Sequence, residues 1–292
     1  MASATTEVTP NPDLVWDIAA LKARLGKPGL KVIDVRVGED YAMGHIPGAV
    51  HFSVYGVNTY DTDEAPLKSF TRMWAVLVGM RGIAMDDTIV VYDDISGMSA
   101  ARAFWFLEYL GHGDVHLLDG GFNGWRDAKL PVSKDAEAPK ATAFDFTAVA
   151  DRVATYQDML DAVDAPDKVI LDTRSEKEWL GTDRRAARGG TIPSAVHLDW
   201  ENHLTADGTL KSADGLQTLF DAHGVTADKE ILAFCNTGYR SAHAYLVLRV
   251  LGYPRVRNYV GSWQEWGNRD GCPVAVPQPA FSPDTVHRDA QE

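Results

Sequence analysis

Residues 110–125, LGHGDVHLLDGGFNGW, and residues 251–266, LGYPRVRNYVGSWQEW, align without a gap at a spacing of 141 (251 − 110 = 141). Both begin Leu-Gly, carry a short apolar run and close on a tryptophan, Trp125 or Trp266. The echo extends to both sides. KVIDVR at 31–36 answers to KVILDTR at 168–174, and HIPGAVH at 45–51 answers to TIPSAVH at 191–197, in the same order along the chain. LPV at 130–132 matches CPV at 272–274, one residue out of step. A repeated unit of about 130 residues is too long for a solenoid and suits a duplicated domain.

Each copy reads as the same succession of elements. An amphipathic helix (17–25; 156–163) precedes a buried strand that runs into Asp and Arg (32–34; 169–172). After a turn with proline come a second apolar strand (88–92; 230–234), a helix (99–110; 241–251) and a third strand leading to the tryptophan turn. Short continuous apolar strands alternating with helices point to a parallel sheet covered on both faces. The expected fold is α/β, two tandem domains at 1–138 and 149–280, each a small parallel sheet flanked by helices. Residues 139–148 read as a linker and 281–292 as a loosely held tail.

The totals exclude several classes. With 292 residues, 45% hydrophobic and 24% charged, the chain has enough apolar material to fold. A net charge of −13 repels nucleic-acid phosphate and anionic membrane surfaces, and no basic run is interleaved with aromatics. Nucleic-acid and membrane partners are therefore not expected. The N-terminus lacks a basic start and an apolar core, and no apolar span reaches about 20 residues, so a soluble, cytoplasmic protein is expected. Cys235 and Cys272 make no CxxC and no Cys/His cluster, which argues against a disulfide framework and against a metal site.

The copies differ at one strand end. At the 141 spacing, Cys235 falls opposite Asp94 and Arg240 opposite Ser99. The second copy also holds about eight extra residues between Asp172 and TIPSA, a stretch containing Arg184, Arg185 and Arg188. One copy is expected to do chemistry and the other to support it. Ligands of open α/β sheets sit beyond the carboxyl ends of the strands, where Cys235 stands. The loop Asn236, Thr237, Gly238, Tyr239, Arg240 leads to a helix expected to start near Ser241. Its backbone N–H groups can converge on the sulfur, and the helix N-terminus adds about half a positive charge. Such surroundings draw a thiol pKa from about 8.5 into a range of roughly 3.5 to 7.5. Gly238 supplies positive-φ freedom, and Arg240 a permanent charge for an anionic substrate. Only four residues separate Cys235 from Arg240, one fewer than in a phosphatase-type loop. The smaller ring suits one added sulfur atom better than a tetrahedral phosphate.

These residues resemble the rhodanese family, in particular its two-domain sulfurtransferases, over residues 14–276. The resemblance rests on HIPGA at 45–49, TIPSA at 191–195, the GGFNGW and GSWQEW closings, and the loop CNTGYR. It implies a double displacement in which a thiolate takes a sulfane sulfur from a small anionic donor, becomes a persulfide and passes the sulfur to cyanide or a thiol. By the same resemblance Cys235 is the nucleophile and Asn236, Thr237, Gly238, Tyr239, Arg240 and Ser241 form the persulfide cradle. Arg188, just before GGTIPSA, matches a substrate-facing arginine, with Arg184 and Arg185 as further candidates beside Arg240. No cofactor is implied. The donor is expected to be thiosulfate, with 3-mercaptopyruvate the alternative: the loop has neither the CRKG of the former group nor the CGSG or CGTG of the latter, and Tyr55 replaces an acid that the latter tend to carry. A cysteine phosphatase or arsenate reductase on the same scaffold, or a non-catalytic binding module, remain the readings from other classes.

Other reactive-looking residues read as structural. Cys272 precedes a proline and takes the place of Leu130, as a packing residue would. Asp34 and Asp172 occur in both copies and read as loop-fixing acceptors. His45, His51, His197 and His243 have no metal spacing.

Overall fold

The computed structural model describes residues 8–278 and shows two five-stranded sheets in which every pairing is parallel. The first sheet contains β1 (Val15–Trp16), β2 (Leu30–Asp34), β3 (Val50–His51), β4 (Thr88–Tyr92) and β5 (Val115–Leu118), in the order β1-β5-β4-β2-β3. The second contains β6 (Val153–Ala154), β7 (Lys168–Asp172), β8 (Val196–His197), β9 (Glu230–Phe234) and β10 (Val256–Tyr259), in the matching order β6-β10-β9-β7-β8. The helices of the first half are α1 (Ile18–Arg24), α2 (Gly38–Met43), α3 (Glu64–Met80), α4 (Met98–Tyr109) and α5 (Gly121–Asp127). Those of the second are α6 (Tyr156–Leu160), α7 (Glu176–Trp179), α8 (Ala213–Ala222), α9 (Tyr239–Val250) and α10 (Ser262–Trp266).

Local chemistry sets the ends of these elements. Asp17 caps α1 by accepting from the Ala20 N–H at 2.6 Å, and Thr155 with Asp158 forms a capping box at the head of α6. The central strands β4 and β9 are runs of buried apolar residues, as parallel strands covered on both faces must be. The duplication persists in single hydrogen bonds: Trp125 Nε1 donates to Pro131 O at 2.7 Å and Trp266 Nε1 to Pro273 O at 2.8 Å. Likewise Arg36 and Arg174 each donate to a glycine carbonyl, Gly44 or Gly190, at 2.7 Å.

The two halves share a core. Helices α4 and α9 lie against each other and both are buried over most of their length, and one cluster of buried side chains runs through Phe104, Phe106, Tyr245 and Leu248. Glu108 of α4 accepts from Tyr245 Oη at 2.6 Å and pairs with Arg249 at 3.3 Å across this seam.

Some boundaries move. Helix α6 stops at Leu160, short of the expected 163, because the chain tightens there to i−3 hydrogen bonds, Ala162 N–H to Met159 O and Val163 N–H to Leu160 O. Helix α9 starts at Tyr239, two residues before Ser241, because Gly238 at φ 86° makes the reversal in one step. The stretch expected as a linker has no helix or strand, yet it is laid along the first half: Thr142 N–H donates to Gly79 O and Thr142 Oγ1 to Ile83 O. The tail expected at 281–292 lies outside the described residues. Among the described residues no helix is long and apolar enough to cross a membrane.

Candidate active site

Strand β9 ends at Phe234, and Cys235 follows at the carboxyl edge of the sheet. Its backbone is fastened on both sides: Cys235 N–H donates to Ser262 Oγ at 3.1 Å, and Cys235 O accepts from Trp263 N–H at 2.9 Å. Asn236 O accepts from Gln264 N–H at 3.0 Å, so α10 holds the base of the loop. The loop then folds over the thiol, and Gly238 N–H donates to Cys235 Sγ at 3.1 Å. The Gly238 φ of 86° makes this return possible, since a residue with a Cβ rarely adopts it. Burial alone would raise the Cys235 pKa, but the Arg240 charge and the N–H groups of Ser241 and Thr237 outweigh it, and the thiol is drawn below its ordinary value. Cys272 shows the contrast: it sits in an apolar cluster and burial pushes its thiol up.

Arg240 is held rigidly. Its guanidinium makes a two-pronged pair with Glu178, at 2.6 and 2.9 Å, and Glu178 is itself the closing residue of the Ser175 capping box on α7. Burial would raise the Glu178 carboxyl, yet Arg240 and Ser175 draw it down to about 2. The sequence carries a signal for this residue in the S-x-x-E spacing of Ser175 to Glu178. Ser241 Oγ donates to Asn258 Oδ1 at 2.7 Å, fixing the first turn of α9, and Asn236 Oδ1 accepts from Gln264 Nε2 at 3.3 Å.

Cys235 lines a cleft of about 510 Å³ between the two halves. Tyr55, Gly56, Asn58 and Met98 close it from the first half; Trp200, Glu201 and the residues Asn236, Thr237, Tyr239 and Arg240 line it from the second. Tyr239 Oη reaches across to donate to Val54 O at 2.6 Å. Tyr55, singled out by the resemblance, lines the cleft, whereas Met98 and Trp200 belong to it without any pattern in the sequence that marks them.

The three arginines of the extra segment part company. Arg188 does not line the cleft: its Nε donates to Gly267 O, Nη1 to Cys272 O, and Nη2 to Trp266 O and Arg269 O, all at 3.1 Å or less. Each of its nitrogens is committed to tying down the C-terminal turn, which corrects the expectation of a substrate-facing Arg188. Arg184 is exposed and donates to the neighbouring Ala187 O. Arg185 does line the cleft, with its side chain 54% exposed, pairing with Asp183 at 3.0 Å and lying 3.8 Å from Glu178.

In the first half the residue that stands opposite Cys235 is Asp93, not Asp94. Tyr92 pairs with Asp34 as Phe234 pairs with Asp172, and Phe122 N–H donates to Asp93 O as Trp263 N–H does to Cys235 O. The first loop has one residue more before its helix, so an ungapped alignment through the helices slips by one at the strand end. The Asp93 carboxylate fills this loop, accepting from the N–H groups of Ile95, Gly97, Ser99 and Ala100. The aspartates repeated in the preceding strands, Asp34 and Asp172, are fully buried and hold Arg36 and Arg174 at 2.6 Å, ordering the loop beside the site.

The rhodanese-like domain matches this sequence twice, over residues 17–128 and 155–269. The chain belongs to the rhodanese family. A thiosulfate sulfurtransferase of Azotobacter vinelandii is 34% identical over 263 residues, spanning 90% of this chain and 97% of that protein. The sulfur carrier protein TtuD of Thermus thermophilus is 33% identical over 285 residues, spanning 91% and 97%. Among solved structures, the anaerobic ergothioneine biosynthesis enzyme of Chlorobium limicola, in complex with trimethyl histidine, superposes with a TM-score of 0.80 at 22% identity. That match covers 91% of this rhodanese and 71% of the other chain, and shows the shared fold.

Proposed function

We propose that this rhodanese is a thiosulfate sulfurtransferase that carries sulfur on Cys235. The observation that carries the reading is the Cys235 sulfur held by the Gly238 N–H inside the cleft, within reach of the Arg240 charge. The Cys235 thiolate attacks the outer sulfur of thiosulfate; the new S–S bond forms as the old one breaks, and sulfite leaves with the bonding electron pair. The persulfide anion then hands its terminal sulfur to cyanide or to a thiolate, regenerating the Cys235 thiolate with charge conserved in both steps. In the persulfide state the negative charge moves to the outer sulfur, and the N–H groups of the loop from Asn236 to Ser241 form its cradle, a nest of amides at a helix N-terminus.

Arg240 serves this anion rather than free substrate, because Glu178 already fixes its guanidinium. We assign donor attraction to Arg185, the cleft arginine with an exposed side chain. The names of the relatives favour thiosulfate over 3-mercaptopyruvate as donor. We place the reaction in the cytoplasm, whose reducing thiol pool keeps cysteines such as Cys235 available as thiols.

Incubation with thiosulfate followed by intact mass measurement tests the reading. One added sulfur atom, removed by cyanide and missing in Cys235→Ser, is the expected result; an unmodified protein, or an adduct that survives the substitution, refutes it. A thiocyanate assay with both donors side by side tests the donor, and a large preference for 3-mercaptopyruvate overturns that part.

A further inference from the structure

Arg102 lies on α4, in the half without the thiol, and is completely buried. Its Nη1 donates to Gly238 O at 3.1 Å, while Nε and Nη2 have no partner among the described residues. The guanidinium lies against the rings of Trp105 and Tyr239, at 4.9 and 5.1 Å from their centroids. Among the described residues no carboxylate pairs with any of its nitrogens. A buried cation left without an anion is among the more destabilising things a fold can contain, and its persistence at the rim of a reactive loop calls for a reason.

We propose that Arg102 is a positioning residue for the Cys235 anion, supplied by one domain to the nucleophile of the other. Two effects follow from its place. In the trans peptide between Gly238 and Tyr239 the carbonyl and the N–H point in opposite directions. Drawing Gly238 O back to Arg102, with help from Asn258 Nδ2 at 3.1 Å, turns the Tyr239 N–H into the loop. The guanidinium also places a positive charge behind the cradle whose counter-charge is the thiolate or persulfide. Burial lowers the Arg102 pKa to about 10, which leaves it a cation at neutral pH. Gly238 is shaped to admit it: a Cβ there would lie 2.5 Å from Arg102 Nη1.

The pseudo-symmetric position sharpens the contrast. The residue of α9 that corresponds to Arg102 is His243 (243 − 102 = 141), and it contacts Ser96 O of the first loop at 2.9 Å. Burial lowers that histidine to about 4, so a neutral donor faces the loop filled by its own carboxylate, and a cation faces the loop that must hold a sulfur anion. The other titratable groups facing Cys235 are Tyr239 and Arg240 on α9, with Glu178 and Asp172 behind Arg240, and Tyr55, Arg185 and Glu201 on the other walls of the cleft.

The inference rests on Cys235 being the sulfur carrier, and one experiment separates the two. The pH dependence of iodoacetamide alkylation is followed on the Cys235 peptide in wild type, Arg102→Met and Arg102→Lys, together with Tm and kcat/KM. The Met variant is expected to titrate about one unit higher, roughly a tenfold loss of thiolate at a pH below both midpoints, with kcat/KM down by about the same factor. Its Tm is expected to hold or rise, because an unpaired buried charge has gone. Lys recovers part of the midpoint by keeping the charge. Should Arg102→Met not fold, Arg102→His, which copies the donor of the other loop, is read in its place. A wild type that titrates as an ordinary thiol sinks the proposed function. A low wild-type midpoint that the Met variant shares overturns this inference alone.

Discussion

At the end of β4 the Asp93 carboxylate sits inside its loop and takes hydrogen bonds from four backbone N–H groups; at the end of β9 the Cys235 sulfur occupies the same place beneath the Gly238 N–H. Both loops are anion receptors at the start of a twelve-residue helix. The first is permanently filled by its own side chain, one methylene from the backbone, and has Ser99 where the second has Arg240. The second leaves its donors for a charge that comes and goes with the reaction. The difference teaches that losing the thiol need not dismantle the receptor: a fixed carboxyl side chain accepts the loop's N–H groups and keeps it ordered, and the first half is free to serve as wall and support.

The strongest test of that comparison is exchange. Cys235→Asp should fold with a Tm close to wild type and take up no sulfur, read by thermal melting and intact mass. The reverse exchange, Asp93→Cys in a Cys235→Ser background, should also leave the protein without a persulfide, because the first loop is one residue longer and has no arginine; sulfur uptake there would break the comparison. Next in size, Arg240→Met should lower kcat/KM by about a hundredfold or more, as loss of one fixed stabiliser of a developing anion does. Arg185→Ala should raise the KM for thiosulfate about tenfold with kcat little changed, the pattern of an attraction made equally to substrate and transition state. Arg188→Met should leave kcat alone and cost about 1 to 3 kcal/mol of stability, read from denaturant midpoints, because it strips donors from the carbonyls of Gly267, Cys272, Trp266 and Arg269.

The smallest effects concern pH, and the two loops should differ in sign. Burial pushes the Asp93 carboxyl up to about 6 against the pull of its amides. Its contribution to stability is therefore full below the unfolded value of 3.8 and is lost as pH rises through about 6. Glu178 is drawn down to about 2, so its contribution is present above 4.5 and is lost as pH falls toward 2. Subtracting the melting curves of Asp93→Asn and Glu178→Gln from that of wild type across this range should give two slopes of opposite direction; slopes of the same sign contradict the assignment.

Much of this was legible in the chain. The strands at 88–92 and 230–234 are legible as short continuous apolar runs, and Cys235 by its place between such a run and a glycine turn. What escaped depended on three-dimensional direction or on gaps. Arg188 stands beside TIPSA in sequence, but which way its guanidinium points is decided by the C-terminal turn packed on it. Asp94 falls opposite Cys235 at the 141 spacing because a one-residue difference in loop length is invisible when helices are aligned without a gap. Arg102 lies in the other half, 133 residues from Cys235 (235 − 102 = 133), on a helix whose apolar pattern gives no sign that one charge is turned inward.

The central claim is that the second loop stabilises a sulfur anion on Cys235. It is tested most directly by titrating both thiols of the native protein in one experiment, reading alkylation of the Cys235 and Cys272 peptides against pH. A Cys235 midpoint well below about 8.5, with Cys272 above it, is the predicted result. Coincident titration of the two cysteines at the ordinary thiol value would contradict the account.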